Sequence, residues 1–349
     1  MASYTHILRE VFRDPALTRD KSVRWDPTKQ MKSLSGKVVV LTGPNSGIGY
    51  ETLRQLVLSD AKVYLFGRSL AKMEAAKKAI HDECVASLAN DYADGDLRFN
   101  GKVGEMVLVQ CDLASLESIQ RAAKQFMAME DHVDLFFGNA GVMIGGQTAE
   151  GYELMLGTNV LGHHALIRLL LPALRRAAQQ SNSVETGETR VVLTSSGSHN
   201  WVDKPVHMSS AGLDDVTKTG MNLFHLYGRS KLGNIYTARK LAQIFADNGD
   251  GVVVCSVHPG GVKSQLGSEN KLLTRIKNLF LDPANLGAVT QLWGAVGAEK
   301  NAVDGKYLVP WARVGEESQL AQNDAVRDEL WAWCEQQCIK HGLVDKAIP

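Results

Sequence analysis

A chain of 349 residues with 44% hydrophobic composition is long enough to bury a sizeable core, as one large or two ordinary domains. Its 38 lysines and arginines balance 38 aspartates and glutamates without any block of five or more like charges, which argues against a nucleic-acid partner and its need for a basic face. Five scattered cysteines without zinc-type spacing argue against a disulfide framework and against a metal site, and fit a reducing, cytoplasmic compartment.

Residues 1–34 read as an N-terminal arm that interleaves Arg9, Arg13, Arg19 and Arg24 with Glu10, Asp14, Asp20 and Asp26. The longest wholly apolar stretches in the chain fall short of the ~18 residues a span requires, so neither a signal peptide nor an integral membrane segment is expected. Ile7, Leu8, Val11 and Phe12 give the arm an amphipathic start, expected to dock on the chain's own domain.

Short apolar runs then alternate with helical stretches: Lys37 to Leu41, Lys62 to Phe66, Met106 to Gln110, Val133 to Phe137, Arg190 to Thr194, Val252 to Val257 and Lys306 to Val309. That alternation predicts βαβ units in one doubly wound α/β domain over 35–349, with a central parallel sheet of about seven strands and helices on both faces. Polar interruptions at 90–104 and 179–189 read as surface insertions.

The first run passes through Thr42-Gly43-Pro44-Asn45-Ser46-Gly47-Ile48-Gly49 into a helical pattern with Ile48, Leu53, Leu56 and Val57 near one face. A helix N-terminus offers unpaired N–H groups and the positive end of the dipole, and Gly43, Gly47 and Gly49 keep side chains out of an anion's approach. An ordinary glycine-rich βα turn would satisfy the same residues. The doubly wound context favours the phosphate, because ligands in such folds bind beyond the carboxyl ends of the strands. The second run ends at Gly67 and Arg68, about where a dinucleotide fold reads the adenosine ribose. An acid there would accept from the 2′-hydroxyl of NAD; a planar cation suits a 2′-phosphate, so Arg68 points to NADP(H), a merely solvated arginine being the alternative.

Later strand ends deliver Asp112 and Leu113, then Asn139, Ala140 and Gly141, then Ser195 and Ser196. Each alone is compatible with turn chemistry. Tyr227 and Lys231, four apart, share a helix face, where an ammonium near a phenol favours the phenolate and lowers a pKa normally about 10. That spacing too is common by itself.

The conjunction is not. The glycine turn, Asp112-Leu113, Asn139-Ala140-Gly141, Asn159, Ser196, Tyr227/Lys231 and Pro259-Gly260, in this order and strand context, resemble the short-chain dehydrogenase/reductase family over roughly residues 34–310. Asn159-Val160-Leu161-Gly162-His163 and Val257-His258-Pro259-Gly260-Gly261-Val262-Lys263-Ser264 are most similar to the retinol-dehydrogenase-like and WW-domain-oxidoreductase-like branch, which includes many fungal reductases.

The resemblance implies an oxidoreductase that interconverts a carbonyl and an alcohol on a lipophilic small molecule. Tyr227 would be the acid or base, Lys231 would hold the nicotinamide ribose and lower the phenol's pKa, and Ser196, the later of the serine pair, would hold the carbonyl oxygen. Asn159 would bend its helix and anchor a water relay to Lys231. The cofactor would lie along Gly43, Asn45, Ser46, Gly47, Ile48 and Gly49, then Asp112 and Leu113, then Asn139, Ala140 and Gly141. Pro259, Gly260, Val262 and Ser264 would pass over its carboxamide.

Three departures accompany the resemblance. Gly138 replaces the first Asn of the usual Asn-Asn-Ala-Gly, which loosens the expected support of the sheet. Substrate-side insertions are expected near 197–226, with Trp201, Met208, Met221 and Phe224, and near 264–283, where 271–281 reads equally as a mobile lid or a permanently packed helix. His199 and His225 are expected to make packing or polar contacts. Relatives often pair through the helices carrying Asn159 and Tyr227, so a homodimer through Leu161, Leu166, Leu169 and Leu170 is a further expectation. Two other functions fit the same residues: a nucleotide-binding regulatory protein without turnover, and a lyase or isomerase that uses Tyr227 for proton transfer.

Overall fold

Val38-Val39-Val40-Leu41-Thr42 forms β1 (Val38–Thr42), buried on both faces as a near-continuous β-branched run in a parallel sheet should be. The computed structural model describes residues 22–93, 102–180, 187–202, 204–205, 221–262 and 282–348. The other strands are β2 (Lys62–Gly67), β3 (Met106–Gln110), β4 (Leu135–Gly138), β5 (Thr189–Thr194), β6 (Val252–Val257), β7 (Tyr307–Val309) and β8 (Arg313–Val314). They form one sheet in the order β3-β2-β1-β4-β5-β6-β7-β8, parallel through β7. The expected count of about seven is exceeded by β8, an antiparallel edge strand of two residues, too short to leave a periodicity.

Among the described residues the longer helices that frame the sheet are α1 (Gly47–Leu58), α2 (Leu70–Ala93), α3 (Leu116–Met129), α4 (Leu154–Gln180), α5 (Leu223–Asn248), α6 (Ala284–Leu292) and α7 (Asp324–Lys340). Alternate residues of each strand feed opposite cores. Val38 and Val40 join Phe126 of α3, Leu166 of α4, Leu232 of α5 and Leu330 of α7; Val39 and Leu41 join Leu53 of α1, Ile80 of α2 and Leu292 of α6. The chain crosses from the β3 edge to β4, beside β1, which places the topological switch point and its crevice between β1 and β4.

By length and composition α4 is apolar enough to cross a membrane, and 83% of its apolar window is buried inside the molecule, as in the core helix of a globular domain. It contains a single wide turn, a π-helical segment at Gly157–Leu161. Asn159, where the sequence predicts a bend, lies within this segment.

The leucines expected to serve a two-fold contact are already occupied. Leu161, Leu166 and Leu170 are buried in the chain's own core together with Trp331 and Trp333 of α7, and only Leu169 is half-buried. Of these four, Leu169 alone is partly exposed to a second copy. The arm from residue 22 docks on its own domain through Trp25, Met31 and Leu34. Its amphipathic start, Met208, Ser264 and the 271–281 stretch lie outside the described residues.

Candidate active site

Beyond Thr42 the backbone turns through Gly43 and Gly47 at φ of 68° and 57°, the left-handed region that favours glycine. A Cβ on Gly49 would sit 2.1 Å from the Gly43 carbonyl oxygen, whereas one on Gly47 would meet nothing within 4 Å. Gly49 is thus required by close packing, and Gly47 leaves an open face in front of α1. Ser46, the N-cap of α1, makes no side-chain cap, so its hydroxyl does not compete for the first-turn N–H groups. This turn borders a cavity of about 350 Å³ that includes Asn45, Ile48 and Arg68 and continues along Asn139–Ile144.

Arg68 is exposed at the end of β2 and borders a second cavity of about 450 Å³ with Gln110, Asp112, Ser115 and Arg121. No carboxylate pairs with its guanidinium among the described residues. Asp112 fixes its own loop, its Oδ1 accepting the Ala114 N–H at 3.0 Å while its N–H donates to Ser118 Oγ at 3.0 Å. Leu113 buries its side chain in the core. Asn139 Nδ2 donates to the carbonyls of Thr42 at 2.9 Å and Gly43 at 3.3 Å, stitching the end of β4 to the glycine turn. The loosening expected at Gly138 does not occur: a Cβ there would lie 2.5 Å from Leu193 and 3.3 Å from His163, which already fill the space. Val262 and Ile48 both close on Gly287, which brings Val262 alongside the start of α1, while Gly260 packs against Trp311 and Pro310.

The remaining residues gather around the N-terminal half of α5. Ser195 is buried, with its hydroxyl donating to the Lys231 carbonyl at 2.7 Å. Ser196 lies at the Tyr227 phenol, where its hydroxyl acts to lower the phenol's pKa. Lys231 Nζ lies 5.6 Å from the Tyr227 ring centroid and donates to the Thr194 carbonyl at 2.9 Å. Burial pushes the phenol up to about 12 and outweighs the lowering effect of the Ser196 hydrogen bond. The lowered phenol pKa expected from Lys231 is therefore absent: burial dominates both groups and draws the ammonium down to about 8.

Asn159 ties the site's two halves together. Its Oδ1 accepts the Val142 N–H at 2.8 Å, and its Nδ2 donates to the Val142 carbonyl at 3.0 Å and to Ser230 Oγ at 2.9 Å. The missing side chain of Gly141 leaves a space in which a Cβ would be 3.2 Å from Lys231 Nζ and 3.4 Å from Asn159 Oδ1. Two features escaped the sequence reading. Arg229, between Tyr227 and Lys231, is buried against Glu153, whose carboxylate also accepts the N–H groups of Met155 and Leu156 at the start of α4. His163 Nδ1 lies 3.0 Å from the Asn159 carbonyl and so carries the proton; its Nε2 accepts from the Thr42 hydroxyl at 2.9 Å, which in turn accepts the Ala140 N–H. The signal for His163 was its spacing of four from Asn159, one helical turn.

Burial, opposed by the Asn159 carbonyl and reinforced by Lys231, pulls His163 down to about 4. The unfolded chain therefore binds more protons between about 4 and 6.5, so this group's contribution to stability is complete above 6.5 and declines as pH falls towards 4. The loss amounts to about 3 kcal/mol. Urea midpoints taken from pH 7 to pH 4.5 should fall more steeply for the wild type than for His163→Gln. Parallel slopes would refute the assignment.

The comparisons with known proteins agree with this geometry. Residues 37–98 match the family model for short chain dehydrogenases. A short-chain dehydrogenase/reductase of Armillaria gallica is 33% identical over 327 residues, 90% of this chain and 94% of that one. Retinol dehydrogenase 12 of Homo sapiens is 33% identical over 303 residues, 85% of each chain. The crystal structure of an uncharacterized protein from Mycobacterium paratuberculosis superposes with a TM-score of 0.65 at 25% identity, covering 93% of this chain and 99% of that one.

Proposed function

The chain belongs to the retinol-dehydrogenase-like branch of the short-chain dehydrogenase/reductase family, and on that premise we propose that it is an NADP(H)-dependent oxidoreductase interconverting a carbonyl and an alcohol on a lipophilic small molecule. The observation that supports the reading is the cluster of Ser196, Tyr227 and Lys231, with Lys231 against Gly141, which lines the cavity that begins at the glycine turn. When bound, the nicotinamide supplies or accepts the hydride. Gly43, Ser46, Gly47 and Gly49 would hold the diphosphate, Asp112, Leu113 and Asn139 to Gly141 would follow the dinucleotide, and Lys231 would hold the nicotinamide ribose. Ser196 holds the substrate oxygen while Tyr227 moves a proton to it. The phenol, raised by burial, stays protonated at neutral pH and so carries the proton that reduction of a carbonyl requires.

A lipophilic substrate is supported by Trp201 and Phe224, edge to face at 5.8 Å beside the α5 N-terminus, and by exposed Ile144 at the cavity. The name of the human relative, a retinol dehydrogenase, points the same way. The five free, buried cysteines suit the cytoplasm. A screen of ketones and aldehydes with NADPH tests the activity. Stoichiometric NADPH consumption separates reduction from a lyase or isomerase, and its absence across the screen would favour the regulatory reading.

Preference for NADP(H) rests on Arg68. Gly67 packs against Met73, with Sδ 2.7 Å from where a Cβ would sit, so the end of β2 offers no acid to the ribose and Arg68 follows directly. Losing a charge-assisted phosphate contact costs on the order of 1.5–3 kcal/mol, so Arg68→Ala should weaken NADPH binding roughly ten- to a hundredfold and leave NADH little changed. Equal losses for the two cofactors, measured by fluorescence titration, would overturn the preference.

A further inference from the structure

His199 is fully buried three residues beyond Ser196, in the 3₁₀ turn Gly197–Trp201. Its Nδ1 lies 2.8 Å from the Ser196 carbonyl, which can only accept, so the proton sits on Nδ1; its Nε2 accepts the Ser318 N–H at 3.1 Å. Both ring nitrogens are committed, and the ring meets Tyr307 of β7 edge to face at 4.9 Å. The Ser196 carbonyl thus receives two bonds from one residue, since the His199 backbone N–H also donates to it at 3.2 Å.

The other side of the turn is equally constrained. A Cβ on Gly228, the residue after Tyr227, would lie 2.6 Å from the Ser198 carbonyl, so α5 rests directly on the turn. The segment holding Ser318 is in turn fastened to α5, because Tyr236 donates to the Leu320 carbonyl and Arg239 pairs with Glu317 at 3.4 Å. The contacts form a closed ring from α5 through 317–320, His199 and Ser196 to Tyr227 and back to α5.

We infer that His199 is a positioning residue that sets the Ser196 hydroxyl against the Tyr227 phenol, its protonated Nδ1 fixing the serine's carbonyl and its Nε2 anchoring the turn to Ser318. The inference rests on the proposed roles of Ser196 and Tyr227 at the reacting oxygen. It assigns His199 no contact with substrate or cofactor.

The test is a double-mutant cycle between His199→Leu and Ser196→Ala, with kcat and NADPH affinity measured separately. A misplaced catalytic group costs on the order of ten- to a hundredfold, so His199→Leu should lose that much kcat with NADPH affinity unchanged. In the Ser196→Ala background the same substitution should cost nothing further. His199→Asn, whose amide can replace the Nδ1–H donor, should recover most of the loss. Should the leucine variant fail to fold, His199→Gln, whose amide reaches towards Ser318 but not the Ser196 carbonyl, takes its place and should lose kcat where His199→Asn retains it. Equal losses in both backgrounds, or an asparagine variant no better than the others, would overturn the inference. Full activity of Ser196→Ala itself would instead overturn the parent reading.

Discussion

Tyr227→Phe is expected to fold and to bind NADPH as the wild type does, yet to turn over at less than about a hundredth of the wild-type rate, since general acid–base groups typically contribute 10²–10⁴-fold. The substitution removes one hydroxyl from a ring that stays where Lys231 and α5 hold it. Its effect on packing is small because the phenol's neighbour Ser196 is itself held independently by the Ser198 N–H at 3.2 Å. Fluorescence titration isolates binding from chemistry, and turnover is compared on a substrate found by screening. A variant within threefold of wild type, where chemistry limits the rate, would remove Tyr227 from the mechanism.

Lys231→Met should be comparably inactive and, unlike Tyr227→Phe, should also bind NADPH more weakly, while its stability is equal to or greater than that of the wild type. The sign follows from linkage. The ammonium is drawn down to about 8 by burial, so between 8 and its ordinary 10.5 the unfolded chain holds more protons, and at pH 7 the folded state bears the full cost of the buried charge, about 3 kcal/mol. Methionine fills a similar volume without that cost. The Thr194 carbonyl is not stranded, because Asn234 Nδ2 also donates to it at 2.9 Å. A melting temperature well below the wild type's would contradict this account. Retained activity would contradict the proposed role.

What the sequence made legible follows from how locally each feature is encoded. The inner parallel strands announce themselves because both faces are buried, so they read as mainly apolar runs; β3, at the sheet edge, is partly exposed yet still apolar, and β8 has only Arg313 and Val314 and leaves no pattern. The glycine turn and the Tyr227/Lys231 pair were legible because turn sterics and helical spacing act within eight residues. The choice of Ser196 over Ser195 rested on resemblance, and its physical reason is tertiary: Ser195 is consumed by the Lys231 carbonyl 36 residues away. The phenol's pKa was misjudged because spacing reports the neighbouring charge but not the depth at which both groups lie. His163 was overlooked because its partners, Thr42 and Asn159, come from different elements.

One buried polar cluster joins the middle of the chain to its C-terminal helix. Arg168 of α4 donates to Glu335 Oε1 at 2.6 Å, His164 Nε2 is 2.7 Å from the same oxygen, and the carboxylate's other oxygen accepts the Ile348 N–H. A ribosome that has translated every strand through β6 has already delivered the nucleotide-facing half of the sheet, while the carboxylate for Arg168 is still dozens of codons away. An uncompensated guanidinium does not bury itself. Pairing of Arg168 therefore waits for residue 335, so α4, which carries Asn159, is secured by this contact only once the C-terminal helix α7 is in place.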